Sequence, residues 1–314
     1  MPVIAVAGGS GGIGRIIVEG ILATGKHEVK ILSRQRNPEL ENSIGATVLA
    51  VDYSDTEALT QILEGHNVHT LISALTYRTQ GSAAPELQLV LAADASKTTR
   101  RYVANNWGVP FKEGDELIMP PMAPKIESLK VARRAKDLEY TSFYTGFFLD
   151  YWGIPTVKSY MSPAIMVLDI AHNAAAIPGS GNTPLAFTHT SDVAKYVAAA
   201  LDLEKWEPGY NLSADKVTWN EFLALAENVR GTKFDVAYDD VEKLKAGQVT
   251  ELPAQVNAGL FSAGDAYRKF LAFTHLLMAN GKFNIDEGRH AKDVFPEIRP
   301  KTVKSLLEEA WKSA

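Results

Sequence analysis

The stretch VIAVAGGSGGIGR, residues 3–15, decides how this chain is read. A run of Val, Ile and Ala meets Gly8, Gly9, Gly11, Gly12 and Gly14. GIGRIIVEGILATG, with apolar residues at helical spacing, follows at once. Glycine weakens strand and helix alike, so the missing side chains must serve something. Gly8-x-x-Gly11-x-x-Gly14 lies between a strand and a helix, the context that makes such a motif informative. Gly8 suits a tight turn at the strand end. A side chain at Gly11 would block a pyrophosphate, and Gly14 lets the helix lie close on the sheet. The helix start, with Ser10, Gly12 and Ile13 around it, offers free N–H groups and partial positive charge to phosphate.

Outward from this loop, short apolar runs alternate with helical ones. HEVKILSR, ATVLAVD, VHTLISAL and RRYVANN read as strands two to five, and EYTSFYTGFF as a sixth. SDTEALTQILEG, with Ser54 and Glu57 spaced as a capping box, reads as a helix; so do PELQLVLAADAS and KIESLKVARRAKD. Fully apolar strands alternating with helices imply a parallel sheet covered on both faces. The expected fold is α/β, a Rossmann-like doubly wound sheet. From about Tyr151 the chain is aromatic, Pro-rich and irregular, before the helical runs VAKYVAAALDL and WNEFLALAENVR; Thr218 and Glu221 form a capping box for the second, and Gly231 stops it. Residues 1–152 are expected to bind a dinucleotide, with 185–200 returning to that domain. Residues 153–314 form a smaller α+β substrate-binding part.

Composition narrows the classes. The chain has 314 residues, 46% apolar and 22% charged, with a formal net charge of −5. That balance argues against nucleic acid or an anionic membrane as the main partner. There is no cysteine, hence no disulfide, thiolate metal site or cysteine nucleophile. No His/Asp/Glu spacing resembles a metal site. No stretch approaches the roughly 20 apolar residues that span a bilayer, and MPVIAVAGG lacks a basic leader; a cytoplasmic protein is expected.

The second strand points to the cofactor. A site for NAD ends this strand with an acid on the ribose hydroxyls. Here it ends ILSRQRNP, with Ser33, Arg34 and Arg36 in that place. Arginine binds a 2′-phosphate in bidentate fashion. One such contact is worth roughly 1.5–3 kcal/mol, which favours NADPH/NADP+; Arg34 is nearer the strand end. Asp52 and Tyr53, after the third strand, fall where an adenine edge would lie. Ser73, Ala74 and Leu75, ending the fourth, should pass beneath the cofactor.

The glycine spacing resembles the extended and atypical branches of the short-chain dehydrogenase/reductase superfamily. Many of its members use Tyr-x-x-x-Lys, yet none of the 11 tyrosines here has Lys four residues on. A narrower resemblance is to the NmrA-like and isoflavone-reductase-like proteins. It is carried in order by GGSGGIG, ANNWG (residues 104–108), KIESLKVARRAKDLEYTSFYTGFFLDY and IPGSGNTPLAFTHTSDVAKYV; the tail, with WNEFLALAENVRG and FPEIRP, is most like fungal members. The resemblance implies a lysine acid–base group just before a helix. Lys125 is the first candidate, and Lys130 the second. Pro124 suits a first helical turn, so the helix dipole disfavours the Lys125 ammonium by about 0.3–1 kcal/mol. A useful acid–base lysine needs roughly 4 kcal/mol, so burial must supply most of it.

The same resemblance places Phe148 beside the nicotinamide. ANNWG lacks the Ser-Glu pair of the plant enzymes, so specificity should differ. Asn105 and Asn106 are candidates to hydrogen-bond the nicotinamide carboxamide or substrate. Trp107, Phe147, Tyr151 and Trp152 suggest an aromatic or otherwise apolar substrate, and His172 is a weaker pocket candidate. The expected function is an NADPH-dependent reductase acting on a carbonyl or activated double bond of a small molecule. The alternative is a non-catalytic NADP(H)-binding redox sensor of the NmrA type. The partner is a small molecule, and the protein is a homodimer or a monomer.

Overall fold

A computed structural model of the chain describes residues 1–76, 85–118, 122–262 and 264–312. Two compact units divide it. The first comprises Met1–Tyr144, Thr190–Leu212 and Glu287–Ile298; the second comprises Thr145–His189, Ser213–Asp286 and Arg299–Ala314. The first break thus falls before Thr145 rather than after residue 152. The returning segment runs from Thr190 to Leu212, and a third piece rejoins the first unit.

In the first unit, strands and helices alternate as β1 (Val3–Ala7), α1 (Gly12–Ala23), β2 (Glu28–Ser33), α2 (Pro38–Ile44), β3 (Thr47–Ala50), α3 (Thr56–Gly65), β4 (Val68–Ser73), α4 (Pro85–Ala95), β5 (Arg101–Val103), α5 (Asp115–Ile118), α6 (Ala123–Arg134), β6 (Glu139–Thr141) and α7 (Thr190–Ala200). The six strands form one parallel sheet in the order β3-β2-β1-β4-β5-β6. Winding runs outward from β1 in one direction, then reverses to β4. Right-handed crossovers therefore place the helices in two layers: α1 packs with α7, and α4 packs with both α3 and α6. Ile4, Ala5, Val6, Ile31, Leu32, Leu71 and Ile72 are buried without alternation, as expected for strands covered on both faces. The strand order reverses between β1 and β4, where folds of this kind bind ligands at the carboxyl ends of their strands.

Local details depart from the sequence reading. Helix α3 is capped by Asp55, whose carboxylate accepts the Ala58 N–H at 2.9 Å; Ser54 instead donates to Asp52. The run EYTSFYTGFF is not one strand. Glu139–Thr141 closes the main sheet, Phe143–Tyr144 pairs with Tyr210–Asn211, and Phe147–Phe148 pairs with strand Pro184–Thr188. Gly146 accounts for the last break. It has φ +65°, and a Cβ there would lie 2.0 Å from the Ala186 carbonyl oxygen, so the chain turns where no side chain fits.

The second unit holds two three-stranded sheets. Ala174–Pro178 lies between Leu168–Asp169 and Asp235–Asp239, and Pro184–Thr188 between Asp215–Thr218 and Phe147–Phe148. Helix Trp219–Arg230 has the Thr218/Glu221 capping box and ends at Gly231. Trp152, Phe187, Trp219 and Phe222 form its aromatic core. Among the described residues, no helix is long and apolar enough to cross a membrane.

Candidate active site

The glycine loop is built by close approach. Gly8 has φ +78°, and a Cβ on it would sit 2.5 Å from the Ala74 carbonyl oxygen. The Ala74 N–H donates to the Ala7 carbonyl at 2.8 Å, which draws the end of β4 against the loop. A Cβ on Gly14 would lie 2.3 Å from the Gly8 carbonyl oxygen. Gly11 differs: its φ is −163°, and a Cβ there would meet nothing within 4 Å among the described residues. No side chain caps α1, and its first turn carries no acid. The bare N–H groups at this helix start thus border open space, with Ser10 and Gly11 exposed and Ile13 and Gly14 buried.

The ends of β2 and β3 flank this loop. The Gly8 N–H donates to the Leu32 carbonyl at 3.3 Å, and the Tyr53 hydroxyl donates to the same oxygen at 2.7 Å. Burial pushes the Tyr53 phenol well above its usual range; the Gly8 N–H and the Arg34 charge oppose it. Tyr53 is therefore a strut behind the loop, with its hydroxyl already committed. Asp52 is exposed, and its Oδ1 accepts from the Ser54 N–H and hydroxyl, which hold its carboxyl below the usual range. Ser33 is half-buried; Arg34 and Arg36 are exposed, and among the described residues neither is paired with a carboxylate.

Beneath the loop, the ends of β4 and β5 are tied through one carboxylate. Glu86, only 4% exposed, accepts hydrogen bonds from the Ser73 and Tyr102 hydroxyls. It also accepts from the Asn105 N–H at 3.1 Å. The Asn105 side-chain amide donates to the Leu75 carbonyl at 2.8 Å, and the Trp107 indole N–H to the Ser73 carbonyl at 2.9 Å. Trp107 also stacks on Phe143. Asn106 is 1% exposed, and its Oδ1 has no hydrogen-bond partner among the described residues. Residues 73–75 and 105–107, singled out separately in the sequence, are thus one connected cluster. Glu86 was missed: within PELQLVLAADAS it reads only as an acid at a helix start.

The two lysines differ sharply. Lys125, half-buried in the first turn of α6, lies with Nζ 5.1 Å from the centre of the Phe111 ring. Loss of water around the ammonium pushes its pKa down to about 8, and the Glu86 charge opposes that shift. Lys130 sits among Glu116 at 3.4 Å, Glu113 at 3.5 Å and Glu127 at 3.9 Å. Desolvation pulls against its ammonium, but Glu113, Glu116 and Glu127 together outweigh it and raise its pKa.

In the second unit, Phe147 and Trp152 are core residues, a correction to the expected substrate contacts. Phe147 stacks on Phe283 at 4.0 Å and tilts against Trp219, leaving its ring no free face for a ligand. Trp152 is 3% exposed and packs on Phe187, Trp219 and Phe222. Its edge still borders a cleft of about 150 Å³, which Tyr151, Ile165, Asp169, Ile170 and Trp311 also line. Burial and the Asp150 charge push the Tyr151 phenol up to about 12. Phe148 is half-buried and meets Tyr151 edge-on. His172 lies on the surface, its Nδ1 2.9 Å from Asp169 Oδ1.

The NmrA-like family matches residues 2–303. The chain belongs to that family. Oxidoreductase BOA1 of Botryotinia fuckeliana is 37% identical over 231 residues, which cover 74% of this chain and 77% of that one. Phenylcoumaran benzylic ether reductase Betv6 of Betula pendula is 24% identical over 98% of this NmrA-like chain and 97% of its own. Among solved structures, the binary complex of leucoanthocyanidin reductase with NADPH from Vitis vinifera superposes with a TM-score of 0.74. It is 18% identical, over 98% of each chain. That likeness shows the shared fold.

Proposed function

We propose that this NmrA-like chain is an NADPH-dependent reductase of a small aromatic molecule, acting on a carbonyl or an activated double bond. The observation that carries this reading is the bare cradle at the end of β1. Gly8 and Gly14 bring backbone together where no Cβ fits, while Gly11 and the uncapped start of α1 border open space. Residues 8–14 would hold the diphosphate through backbone N–H groups, and Arg34 with Arg36 the 2′-phosphate. Asp52 and the half-buried ring of Tyr53 would border the adenine, and residues 73–75 with Asn105 would form the floor. The fungal oxidoreductase relative and the neighbour solved with NADPH support this assignment.

When bound there, NADPH supplies hydride to an electrophilic carbon. The chain must then protonate the atom that gains the electron pair, a carbonyl oxygen or a carbon next to the activating group. Lys125 is suited to hold that proton, because a pKa of about 8 makes Nζ a ready donor near neutral pH. Lys130, bound by carboxylates, is held charged and is the poorer candidate. The unpartnered Oδ1 of Asn106 would accept from an N–H or O–H of a bound molecule. Within the second unit, Tyr151 lines a cleft of about 150 Å³, a volume that an aromatic ring fills.

The absent Tyr-x-x-x-Lys pattern favours a second reading, a regulator that binds the dinucleotide without turnover. NADPH consumption against a panel of aromatic aldehydes and enones separates the two. Turnover that disappears in Lys125→Met while NADPH affinity persists supports the reductase. Full turnover in that variant removes the lysine from the chemistry. A marked preference between NADP+ and NADPH, with no turnover on any substrate, supports the regulator.

A further inference from the structure

Glu86 is the least expected charge in the first unit. It is the second residue of α4 and lies against the carboxyl ends of β4 and β5. Two hydroxyls and a backbone N–H converge on it, all donors. A carboxylate is an acceptor only when ionised, so this shell suits the anion. The start of α4 adds a partial positive charge. Among the described residues no cation forms an ion pair with Glu86, and a buried carboxylate without a counter-charge is costly.

Lys125 is the cation whose charge responds to it. Helix α6 packs on α4 and α5. Helix α5 brings Asp115 and Glu116, of which Asp115 accepts the Lys112 N–H and Glu116 meets Lys130. On α6 itself, Glu127 meets Lys130. Phe111 covers the Lys125 ammonium with a ring, not a charge. Among the described charged groups around α6, Glu86 is the one whose charge favours the Lys125 ammonium, against its desolvation.

We propose that Glu86 is a positioning residue of the site: its carboxylate fixes the ends of β4 and β5 through Ser73, Tyr102 and Asn105, and supplies the negative charge that accompanies the Lys125 ammonium. Its place in a reaction rests on the reductase reading above; its link to Lys125 does not. Glu86 thereby connects the floor formed by residues 73–75 and 105–107 to the proton on Nζ.

The test is a pH titration of Lys125 in the full chain, labelled with ¹³C-lysine and followed by NMR. The Lys125 signal is assigned by its loss in Lys125→Met. Glu86→Gln keeps the shape and removes the charge, so the Lys125 midpoint should fall by roughly one pH unit. An unchanged midpoint overturns the proposal. Glu86→Asp keeps the charge and loosens the hydrogen bonds. Its midpoint should stay within about 0.3 unit of the parent, and a fall as large as that expected for Glu86→Gln overturns the proposal even if Glu86→Gln does not fold. NADPH titration of the parent chain separates the two claims. No binding there sinks the reductase reading, while the lysine titration still decides whether Glu86 governs Lys125. With turnover in hand, the alkaline limb of kcat should move with the Lys125 midpoint in Glu86→Gln, which a purely structural role would not produce.

Discussion

Replacing Lys125 by Met should make the protein more stable and less active. The folded environment lowers the Lys125 pKa from 10.5 to about 8. At 1.36 kcal/mol per pH unit, holding the ammonium in place costs about 3.4 kcal/mol. The side chain is only half-buried, and solvent screening reduces that figure to about 2 kcal/mol. The lost contact with Phe111 subtracts about 0.5 kcal/mol, while methionine keeps the apolar stem. A net gain of about 1.5 kcal/mol at pH 7 is expected. The pH dependence identifies the cause. Below pH 8 both folded and unfolded chains carry the proton, and the full cost is present. Between pH 8 and 10.5 the folded chain has released a proton that the unfolded chain still holds, so parent stability rises with pH. The advantage of Lys125→Met should therefore shrink across that window and vanish above it. Urea unfolding at pH 7 and pH 10.5, compared at equal m-values, measures it. A variant no more stable than its parent at pH 7, or equally favoured at both pH values, refutes the reasoning.

The glycines should separate folding from binding. Gly11→Ala should leave stability within about 0.5 kcal/mol yet weaken NADPH binding at least about tenfold, read by urea unfolding and calorimetry. Gly14→Ala should cost about 1–3 kcal/mol of stability, because its Cβ would meet the Gly8 carbonyl oxygen. Arg34→Ser should raise the Kd for NADPH by about tenfold to a hundredfold and leave that for NADH unchanged, measured by fluorescence titration. His275 is 1% exposed, and among the described residues neither ring nitrogen has a hydrogen-bond partner. Burial pushes its pKa down to about 4, against the Asp239 charge. Between pH 6.5 and 4 the unfolded chain binds the proton that folded His275 refuses, so stability should fall as pH drops through that window. His275→Leu should flatten this slope in unfolding measurements.

The sheet was legible because a strand covered on both faces must be largely apolar, as VIAVA is throughout and the Leu-Ile pair of VHTLIS is at its centre. The glycine loop was legible because only close backbone approach explains such residues between a strand and a helix. The sixth strand was misread because EYTSFYTGFF is rich in aromatic and β-branched residues, which suit a strand, and that pattern does not show that its parts pair with three different sheets. Gly146 was the available signal. Phe147 and Trp152 show the limit of composition: aromatic residues near a strand end serve a core as well as a ligand, and only packing on Phe283, Phe187 and Trp219 distinguishes them. Glu86 was invisible for a different reason. Its partners Ser73, Tyr102 and Asn105 lie on separate segments, so no spacing along the chain announces their meeting.

Calorimetric titration of the purified chain with NADPH and NADH tests the central claim most directly. The account predicts saturable binding of one NADPH per chain, at least about tenfold tighter than NADH, with the advantage lost in Arg34→Ser. Absence of NADPH binding, or equal affinity for the two dinucleotides, would contradict it.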